Sequence, residues 1–396
     1  MFSCTKNIFI LAASFSLLRS CLARKLPDSS RLQLSPTTEA CPCTDKKLCR
    51  PVQRRYTAEV FGFDASSWQY FDWSVVTTIA WAGDNPDLLC KAHQEGVRLI
   101  AGAPFPIPLT ANATARRVWI NATLASVQQR FLDGITFDYE SSIARNSPNR
   151  DLYTTIVAET TAAFHAADPG YQVSVCVAWS PDNIDGRDYD YSGLAHASDL
   201  LYMMVYDTRS QIYGRCIASA NSPLVVAQRG VQRFLDFGVS PSKLVLGIPW
   251  YGYTYPCLNI SKDGNDDYCA IKEVPFRGVN CSDAAGSEIS YSKVMAILDS
   301  GNSTTGRRWD TSTMSPYFNY FAEDGTLHQI WYDDPESLGL KYRFAREMGL
   351  RGTGPYTYDD LDNDGSQTGN PKAKQEAGDM WKALHVFSDG KNKYQR

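Results

Sequence analysis

The chain has 396 residues, of which 43% are hydrophobic and 21% are charged, so it can form a large folded core and is too apolar for a disordered protein. Its formal net charge is −4 and it has no Lys/Arg-rich block, which argues against a nucleic-acid or anionic-membrane partner. Aromatic residues make up 12% of the chain, a content that suits sugar binding but is also common in protein cores.

The N-terminal region, residues 1–23, has the pattern of a secretory signal peptide. Lys6 precedes an apolar stretch too short to span a bilayer, and Ala23 offers a small residue for cleavage. A signal anchor is the alternative interpretation. We expect residues 24–55 to form a polar, cysteine-containing leader and residues 56–390 to form the main domain.

Cysteine content agrees with a secreted protein. Nine of the 11 cysteines follow the signal region, and eight of them can form four disulfides in an oxidising compartment. Cys176 lies in the apolar run VSVCVAW and is predicted to be a free, buried thiol. A zinc site formed by Cys41, Cys43 and Cys49 is the alternative, although no histidine lies near them in the sequence. The pairing of the cysteines stays open.

Sequons for N-linked glycosylation occur five times. Together with a signal peptide, five sequons predict a glycoprotein with these sites on its surface. The asparagines are Asn112, Asn121, Asn259, Asn280 and Asn302.

Short apolar runs alternate with helix-like segments along the main domain. Such strands are typical of a parallel sheet covered on both faces, and eight of them predict an α/β fold, a (β/α)8 TIM barrel, in preference to a doubly wound sheet. The predicted strands are 59–63, 75–81, 97–102, 134–139, 172–179, 199–206, 243–249 and 351–356. The predicted helices are 84–95, 114–131, 151–167, 222–237, 335–348 and 371–385.

A long segment after the seventh strand interrupts this alternation. Residues from about 252 to 330 are rich in Gly, Asp and Asn and contain three cysteines, which predicts an insertion at the barrel mouth. Further along, residues 360–365 (DLDNDG) imitate the start of a calcium-binding EF-hand loop. Pro371 stands where that loop needs a bidentate Glu, so a surface turn is the favoured interpretation.

Catalytic chemistry is expected where the fourth strand ends, in the segment DGITFDYE at 133–140. Because side chains alternate along a strand, Thr136, Asp138 and Glu140 point one way, into the barrel. Two nearby carboxyls repel each other, which keeps one of them protonated; we expect Glu140 to be that proton donor and Asp138 its ionised neighbour. An acid pair without metal-spaced histidines favours glycoside hydrolysis, and a structural salt bridge or cap is the alternative.

This segment resembles the signature D-G-x-D-x-D-x-E of glycoside hydrolase family 18, the chitinase-like barrels. Three further motifs of that family are matched in order, and the resemblance covers most of residues 56–385. They are MVYD at 204–207, LVLGIPWYG at 244–252 and GTGPY at 352–356.

The resemblance implies a substrate-assisted retaining mechanism in which the 2-acetamido group of the substrate is the nucleophile. Glu140 would be the proton donor and later the base, Asp138 would bind the acetamido N–H, and Tyr206 would bind its carbonyl. Asp207 is expected to bind a sugar hydroxyl. The aromatic residues considered for sugar contact, each with simple packing as its alternative, are Trp81, Trp250, Tyr251, Trp331 and Tyr356.

Two positions depart from the family pattern. Thr136 stands where the family has its middle Asp, so we expect Asp138 to accept a hydrogen bond from a hydroxyl instead of facing a second carboxyl. Tyr356 stands where the family has a Trp at the floor of the sugar site, and its ring offers less area for stacking.

Other segments resemble one lysosomal member of the family, at 41–51, 177–185, 249–259 and 274–286. The implied function is hydrolysis of the β-1,4 bond between two GlcNAc residues in oligosaccharides from glycoprotein breakdown, with release of the reducing-end GlcNAc. The alternatives are an endo-acting chitinase and a non-catalytic chitin-binding lectin. We expect a monomer that reaches the lysosome through the secretory pathway. Its partner is a GlcNAc-containing oligosaccharide, and no cofactor or metal is expected.

Overall fold

A computed structural model describes residues 40–103, 111–263 and 266–388, and the predicted signal peptide lies outside these ranges. The strands are β1 (Glu59–Phe63), β2 (Thr78–Ala80), β3 (Arg98–Gly102), β4 (Gly134–Phe137), β5 (Gln172–Ala178), β6 (Leu200–Met204), β7 (Leu244–Pro249), β8 (Tyr251–Pro256), β9 (Asn259–Asp263), β10 (Asp266–Ala270), β11 (Ser287–Ser290), β12 (Arg308–Asp310), β13 (Ser315–Phe321), β14 (Leu327–Trp331) and β15 (Gly352–Tyr356). The helices are α1 (Pro86–Glu95), α2 (Ala113–Gln129), α3 (Asn149–Ala167), α4 (Tyr191–Ala197), α5 (Leu224–Asp236), α6 (Tyr291–Asp299), α7 (Pro335–Glu347) and α8 (Ala373–Ser388).

Eight parallel strands close into a barrel in the order β1-β15-β7-β6-β5-β4-β3-β2. The barrel closes where Val60 of β1 pairs with Thr353 of β15. Each of the eight predicted strands overlaps one of these barrel strands, so the predicted TIM-barrel fold is confirmed. Two helices, α4 and α6, were not predicted from the sequence.

Side-chain alternation along each strand separates two apolar layers. On β6, Leu201 and Met203 belong to the layer between the sheet and the helices. Tyr202 and Met204 belong to the barrel interior, where the ring of Tyr202 lies 5.1 Å from that of Phe61. Because both faces are buried, most residues of the barrel strands are apolar, which made the strands visible in the sequence.

The insertion after β7 forms a second, antiparallel sheet. A single residue, Trp250, separates the end of β7 from the start of β8. The inserted sheet has the strand order β11-β8-β14-β13-β12. Strands β9 and β10 form a separate hairpin. The predicted interruption of the barrel is therefore an antiparallel sheet with one helix, α6, rather than an irregular loop.

Eight cysteines form four disulfides, and Cys176 is free and buried, as predicted. A cysteine in a disulfide has no thiolate to offer, so the zinc alternative for the N-terminal cysteines is not supported. The pairs are Cys41–Cys49, Cys43–Cys90, Cys216–Cys281 and Cys257–Cys269.

The leader is also held to the barrel by a buried histidine. The His93 ring, on α1, contacts the carbonyl oxygen of Leu48 through Nδ1 and the carboxylate of Asp133 through Nε2, at 2.9 Å. Asp133 additionally accepts a hydrogen bond from the backbone N–H of Val52, at 2.7 Å. The leader thus contacts the end of the barrel opposite the strand ends that carry the acid pair.

Two surface features bear on cellular context. All five sequon asparagines are exposed, so their positions are compatible with glycosylation, which stays a prediction. Across the described ranges, no helix combines the length and the apolar character that crossing a membrane requires.

Candidate active site

The acid pair lies at the C-terminal end of the barrel, as the sequence predicts. Strand β4 ends at Phe137, and Asp138 and Glu140 follow directly. Ile135 and Phe137 lie in the layer that packs against the helices. Thr136 is fully buried and approaches Cys176, a member of the interior cluster, which confirms the predicted alternation of the strand.

Asp138 is the more buried of the two acids. Its Oδ1 atom is inaccessible to solvent and has no hydrogen-bond partner among the residues that the structure describes. Burial raises the pKa of Asp138 to about 7, and the negative charge of Glu140 adds to this rise. The positive charge of Arg187 and a hydrogen bond with the Cys176 thiol act in the opposite direction. Asp138 therefore holds a proton at acidic pH.

Glu140 lies in a different environment. Its side chain is 51% exposed, and its Oε2 atom accepts a hydrogen bond from Nη1 of Arg187 at 3.1 Å. We predicted that Glu140 holds the proton beside an ionised Asp138. In the enzyme without substrate, burial raises the pKa of Asp138 and so favours a proton on Asp138. The role of Glu140 as proton donor during catalysis stays a prediction.

Thr136 stands where the family has its middle Asp, and we expected its hydroxyl to donate a hydrogen bond to Asp138. The hydroxyl oxygen of Thr136 lies instead 3.6 Å from the Sγ atom of Cys176. It is this thiol that hydrogen-bonds with Asp138. The neutral pair of Thr136 and Cys176 thus occupies the space beneath Asp138 without adding a negative charge.

Tyr206 and Asp207 follow strand β6, on the same edge of the barrel as the acid pair. Tyr206 is 9% exposed, and its ring stacks on Tyr356 with centroids 5.0 Å apart. Burial raises the pKa of Tyr206 well above its usual value, so its hydroxyl keeps its proton. Asp207 accepts hydrogen bonds from the hydroxyls of Tyr251, at 2.7 Å, and Tyr253, at 3.1 Å. Its contact with a sugar hydroxyl stays a prediction.

Two aromatic rings are partly exposed beside this group. Trp81, at the end of β2, makes an edge contact with Tyr356, with centroids 6.1 Å apart. Trp81 lies directly over Gly102, where a Cβ atom would approach its Nε1 atom to 2.9 Å. Glycine is therefore required for this position of the Trp81 ring. Tyr251 is only 5% exposed and makes an edge contact with Tyr206.

Two of the aromatic residues predicted to contact sugar, Trp250 and Trp331, are buried. Trp250 is 1% exposed, and its Nε1 atom donates a hydrogen bond to the Tyr342 hydroxyl on α7 at 3.1 Å. It therefore packs in the layer between barrel and helices. Trp331 is 4% exposed and stacks on Tyr317 within the inserted sheet. Neither ring offers an open face to a sugar.

Arg187 and Cys176 are the important neighbours that sequence reasoning missed. Arg187 lies in the loop between β5 and α4, and Cys176 lies on β5 itself. A charged residue in a loop at the C-terminal end of a barrel strand is a candidate by position alone, so Arg187 carried a signal in the sequence. Nothing in the sequence marks Cys176 as a neighbour of the acid pair, because cysteines are common in apolar, buried runs.

The loop that imitates an EF-hand is organised by its own hydrogen bonds. The Asp362 carboxylate accepts bonds from the N–H of Gly365 at 2.9 Å and the N–H of Thr368 at 2.8 Å. The Asp364 carboxylate accepts bonds from the N–H of Ser366, at 3.0 Å, and from the Tyr70 hydroxyl, at 2.8 Å. These contacts are those of a turn closed by its own side chains, with Asp362 buried and Asp364 exposed.

The structure thus brings together an acid with a buried oxygen and a raised pKa, an exposed acid beside an arginine, and partly exposed aromatic rings. Two carboxyls in such different environments at one end of the barrel are suited to general acid–base chemistry on a bound sugar. The group is formed by residues that follow β2, β4 and β6 and by the last residue of β15, the strand ends at which barrel enzymes carry their active sites.

Comparison with known proteins agrees with this geometry. The family described as "Glycosyl hydrolases family 18" matches residues 102–360. Di-N-acetylchitobiase from Rattus norvegicus is 42% identical over 371 residues, which is 93% of this chain and 98% of that protein. Di-N-acetylchitobiase from Homo sapiens is 40% identical over 356 residues, covering 89% and 90% of the two chains.

A solved structure supports the fold. The Group IV chitinase of Ostrinia furnacalis, in complex with allosamidin, has a TM-score of 0.64 at 18% identity and covers 84% of this chain and 100% of its own. At that identity the likeness concerns the fold alone. From the family match and the two relatives we conclude that the chain belongs to glycosyl hydrolases family 18 and is a glycoside hydrolase.

Proposed function

We propose that this protein is a di-N-acetylchitobiase. It hydrolyses the β-1,4 bond between two GlcNAc residues of oligosaccharides from glycoprotein breakdown and releases the reducing-end GlcNAc. The observation that carries this proposal is the Asp138–Glu140 pair at the end of β4, in a chain about 40% identical over most of its length to proteins of that name.

In the first step, the acetamido carbonyl oxygen of the substrate attacks the anomeric carbon of the same sugar. The bond from that carbon to the glycosidic oxygen breaks, and Glu140 donates its proton to the departing oxygen. The reducing-end sugar leaves as an alcohol, and a cyclic oxazolinium ion remains. The Tyr206 hydroxyl, which keeps its proton, is placed to orient the acetamido carbonyl.

In the second step, Glu140 acts as a base. It takes a proton from water as the water oxygen attacks the anomeric carbon, and the ring of the oxazolinium ion opens to restore the acetamido group. Two inversions at one carbon give net retention, and Glu140 ends the cycle protonated as it began the first step.

Asp138 has two tasks in this scheme. Its buried, unpartnered Oδ1 atom is suited to accept the acetamido N–H, whose positive charge grows as the ring forms. To offset that charge Asp138 must be ionised, although it holds the proton in the absence of substrate. Substrate binding therefore moves this proton from Asp138 to Glu140, which becomes the acid that the first step needs.

The cellular location is proposed in two stages. The four disulfides are those of a protein that folds in the secretory pathway. Delivery to the lysosome is the finer proposal, and acid pH suits an acid pair that must carry one proton. The pKa of about 7 at Asp138 keeps that proton bound throughout the lysosomal range.

The test is digestion of chitotriose labelled at its reducing end, at mildly acidic pH, with the products separated by size. Labelled monomer as the first labelled product, together with unlabelled dimer, is the result we expect. Labelled dimer would instead indicate a chitinase or an enzyme acting from the other end. Binding of chitotriose without cleavage would indicate a lectin.

A further inference from the structure

Arg187 is a buried cation that contacts the proposed proton donor directly. Its side chain is 9% exposed, although arginine is rarely buried without a partner. Nη1 donates to Glu140 at 3.1 Å and Nη2 donates to Asp185 at 2.9 Å. Asp185 is held in turn by the Ser210 hydroxyl, which donates to its Oδ1 atom at 2.9 Å. The guanidinium group is thus fixed from the side remote from Glu140.

The same loop also holds the backbone around Glu140. The hydroxyl of Tyr189 donates to the carbonyl oxygens of Tyr139, at 2.8 Å, and Ser141, at 2.6 Å. These two residues flank Glu140 in the chain. Arg187 and Tyr189, two residues apart, therefore constrain the side chain and the main chain of one catalytic carboxyl.

We propose that Arg187 is a positioning residue that fixes the Glu140 carboxylate and sets the pH range in which the acid pair is active. This inference rests on the proposed acid–base role of Glu140. It assigns to the loop between β5 and α4 a task in catalysis, carried out through Glu140 and without contact between Arg187 and the reacting atoms.

The charges around the pair explain why Arg187 matters. The groups that act on Arg187 are the carboxyls of Glu140 and Asp185 and, more weakly, the hydroxyls of Tyr189 and Tyr191. Asp138, which follows β4, and the Cys176 thiol on β5 lie next to Glu140 and Arg187. The positive charge of Arg187 lowers the pKa of Asp138, in opposition to burial and to the charge of Glu140. Arg187 therefore favours loss of the proton from Asp138.

Proton movement in the proposed mechanism requires a second partner for Arg187. When the acetamido N–H binds Asp138, the shared proton passes to Glu140, which becomes neutral and no longer attracts the guanidinium group strongly. The contact with Asp185 keeps Arg187 in place during this interval. When Glu140 is ionised again, at the end of the first step, the arginine is ready to stabilise the carboxylate that will act as base.

The test is the dependence of kcat/KM on pH for the Arg187→Gln and Arg187→Lys variants, with reducing-end-labelled chitotriose as substrate. Activity needs one proton on the pair, so the acid limb reports binding of a second proton and the alkaline limb reports loss of the first. Removal of the positive charge raises both pKa values. We therefore expect both limbs of Arg187→Gln to move to higher pH by about one unit or more, whereas Arg187→Lys keeps the limbs of the wild type.

Two further variants keep the test decisive. Arg187→Gln combined with Asp185→Asn leaves no unpaired carboxylate buried, so it provides a folded protein without the charge if the single variant is unstable. Arg145→Gln is the matched control, because Arg145 is 74% exposed and forms a surface pair with Asp188 at 3.3 Å. Its profile should equal that of the wild type.

The outcomes separate this inference from the proposed function. If Glu140→Gln keeps full activity, the acid assignment fails and the role of Arg187 fails with it. If Glu140→Gln is inactive but the folded variants lacking Arg187 show the pH limbs of the wild type, the role of Arg187 alone is overturned.

Discussion

The buried His93 makes the attachment of the leader depend on pH. Its two ring nitrogens face two acceptors, the Leu48 carbonyl oxygen and the Asp133 carboxylate, so both bonds can form only when the ring carries two protons. Burial alone would lower the pKa of His93, but the charge and the hydrogen bond of Asp133, together with the bond to Leu48, outweigh it and raise the pKa.

The size of the effect follows from the geometry. The side chains of His93 and Asp133 are 1% and 0% exposed, so solvent does not screen their attraction. A hydrogen bond to a charged group contributes about 1.5–3 kcal/mol, and we expect His93→Gln to lower the free energy of unfolding by about 2–3 kcal/mol at pH 5. Asp133 keeps its bonds from the N–H groups of Val52 and Leu99, so no orphaned carboxylate enlarges the loss.

The sign of the pH dependence is fixed by the raised pKa. The contribution of His93 is fully present below the pKa of an unfolded histidine, near 6.5, and is lost as pH rises through the higher pKa of the folded protein. Urea unfolding of the wild type and His93→Gln under non-reducing conditions measures the difference at pH 5 and pH 9. His196→Gln is the control, because that ring is exposed and contacts the carbonyl oxygen of Ser192 four residues earlier on its own helix. A difference of equal size at both pH values would refute the reasoning.

Three other predictions test separate parts of the molecule. Glu140→Gln should lower kcat by about 10²–10⁴-fold while calorimetry shows chitotriose binding within a few-fold of the wild type; a variant with a tenth of the original rate would contradict the acid assignment. Glu376 on α8 has its pKa raised to about 8 by burial and by a hydrogen bond with Asp299 on α6, so the wild type should lose stability relative to Glu376→Gln as pH rises from 4.5 to 8. Parallel stability curves would exclude this contribution. Trp250→Phe should lower stability by about 1–3 kcal/mol without changing KM, whereas Tyr356→Ala should raise KM; a raised KM for Trp250→Phe at unchanged stability would place Trp250 at the sugar site.

Much of the barrel was predictable because its strands are buried on both faces. Short, mostly apolar runs marked most of the eight strands, although the last one, GTGPY, is rich in glycine. The main error was length: the predicted strand 199–206 ends at Met204, since Val205 and Tyr206 continue the apolar pattern beyond the ladder. Helix α4 has only seven residues, and α6 lies within a Gly- and Asn-rich insertion. Such short helices gain their stability from packing, which the local sequence does not show.

The candidate site was predictable as far as it depends on strand alternation. Asp138 and Glu140 follow from the period of β4, whereas the direction of Trp250 depends on a change of sheet between Pro249 and Tyr251. The raised pKa of Asp138 comes mainly from burial, and Arg187, which is 47 residues from Glu140 in the chain, opposes it. The local sequence pattern shows neither the burial of Asp138 nor the position of this arginine.

The disulfide between Cys216 and Cys281 links the segment after β6, which contains Tyr206 and Asp207, to the insertion, just before β11. The two cysteines are 65 positions apart, and between them lies the β8–β9 connection, where Leu258 is 71% exposed. Exposed connections of this kind are preferred sites of proteolysis. A protease that cuts there leaves both fragments joined through Cys216–Cys281. In a compartment rich in proteases, the enzyme therefore keeps all of its polypeptide after such a cut.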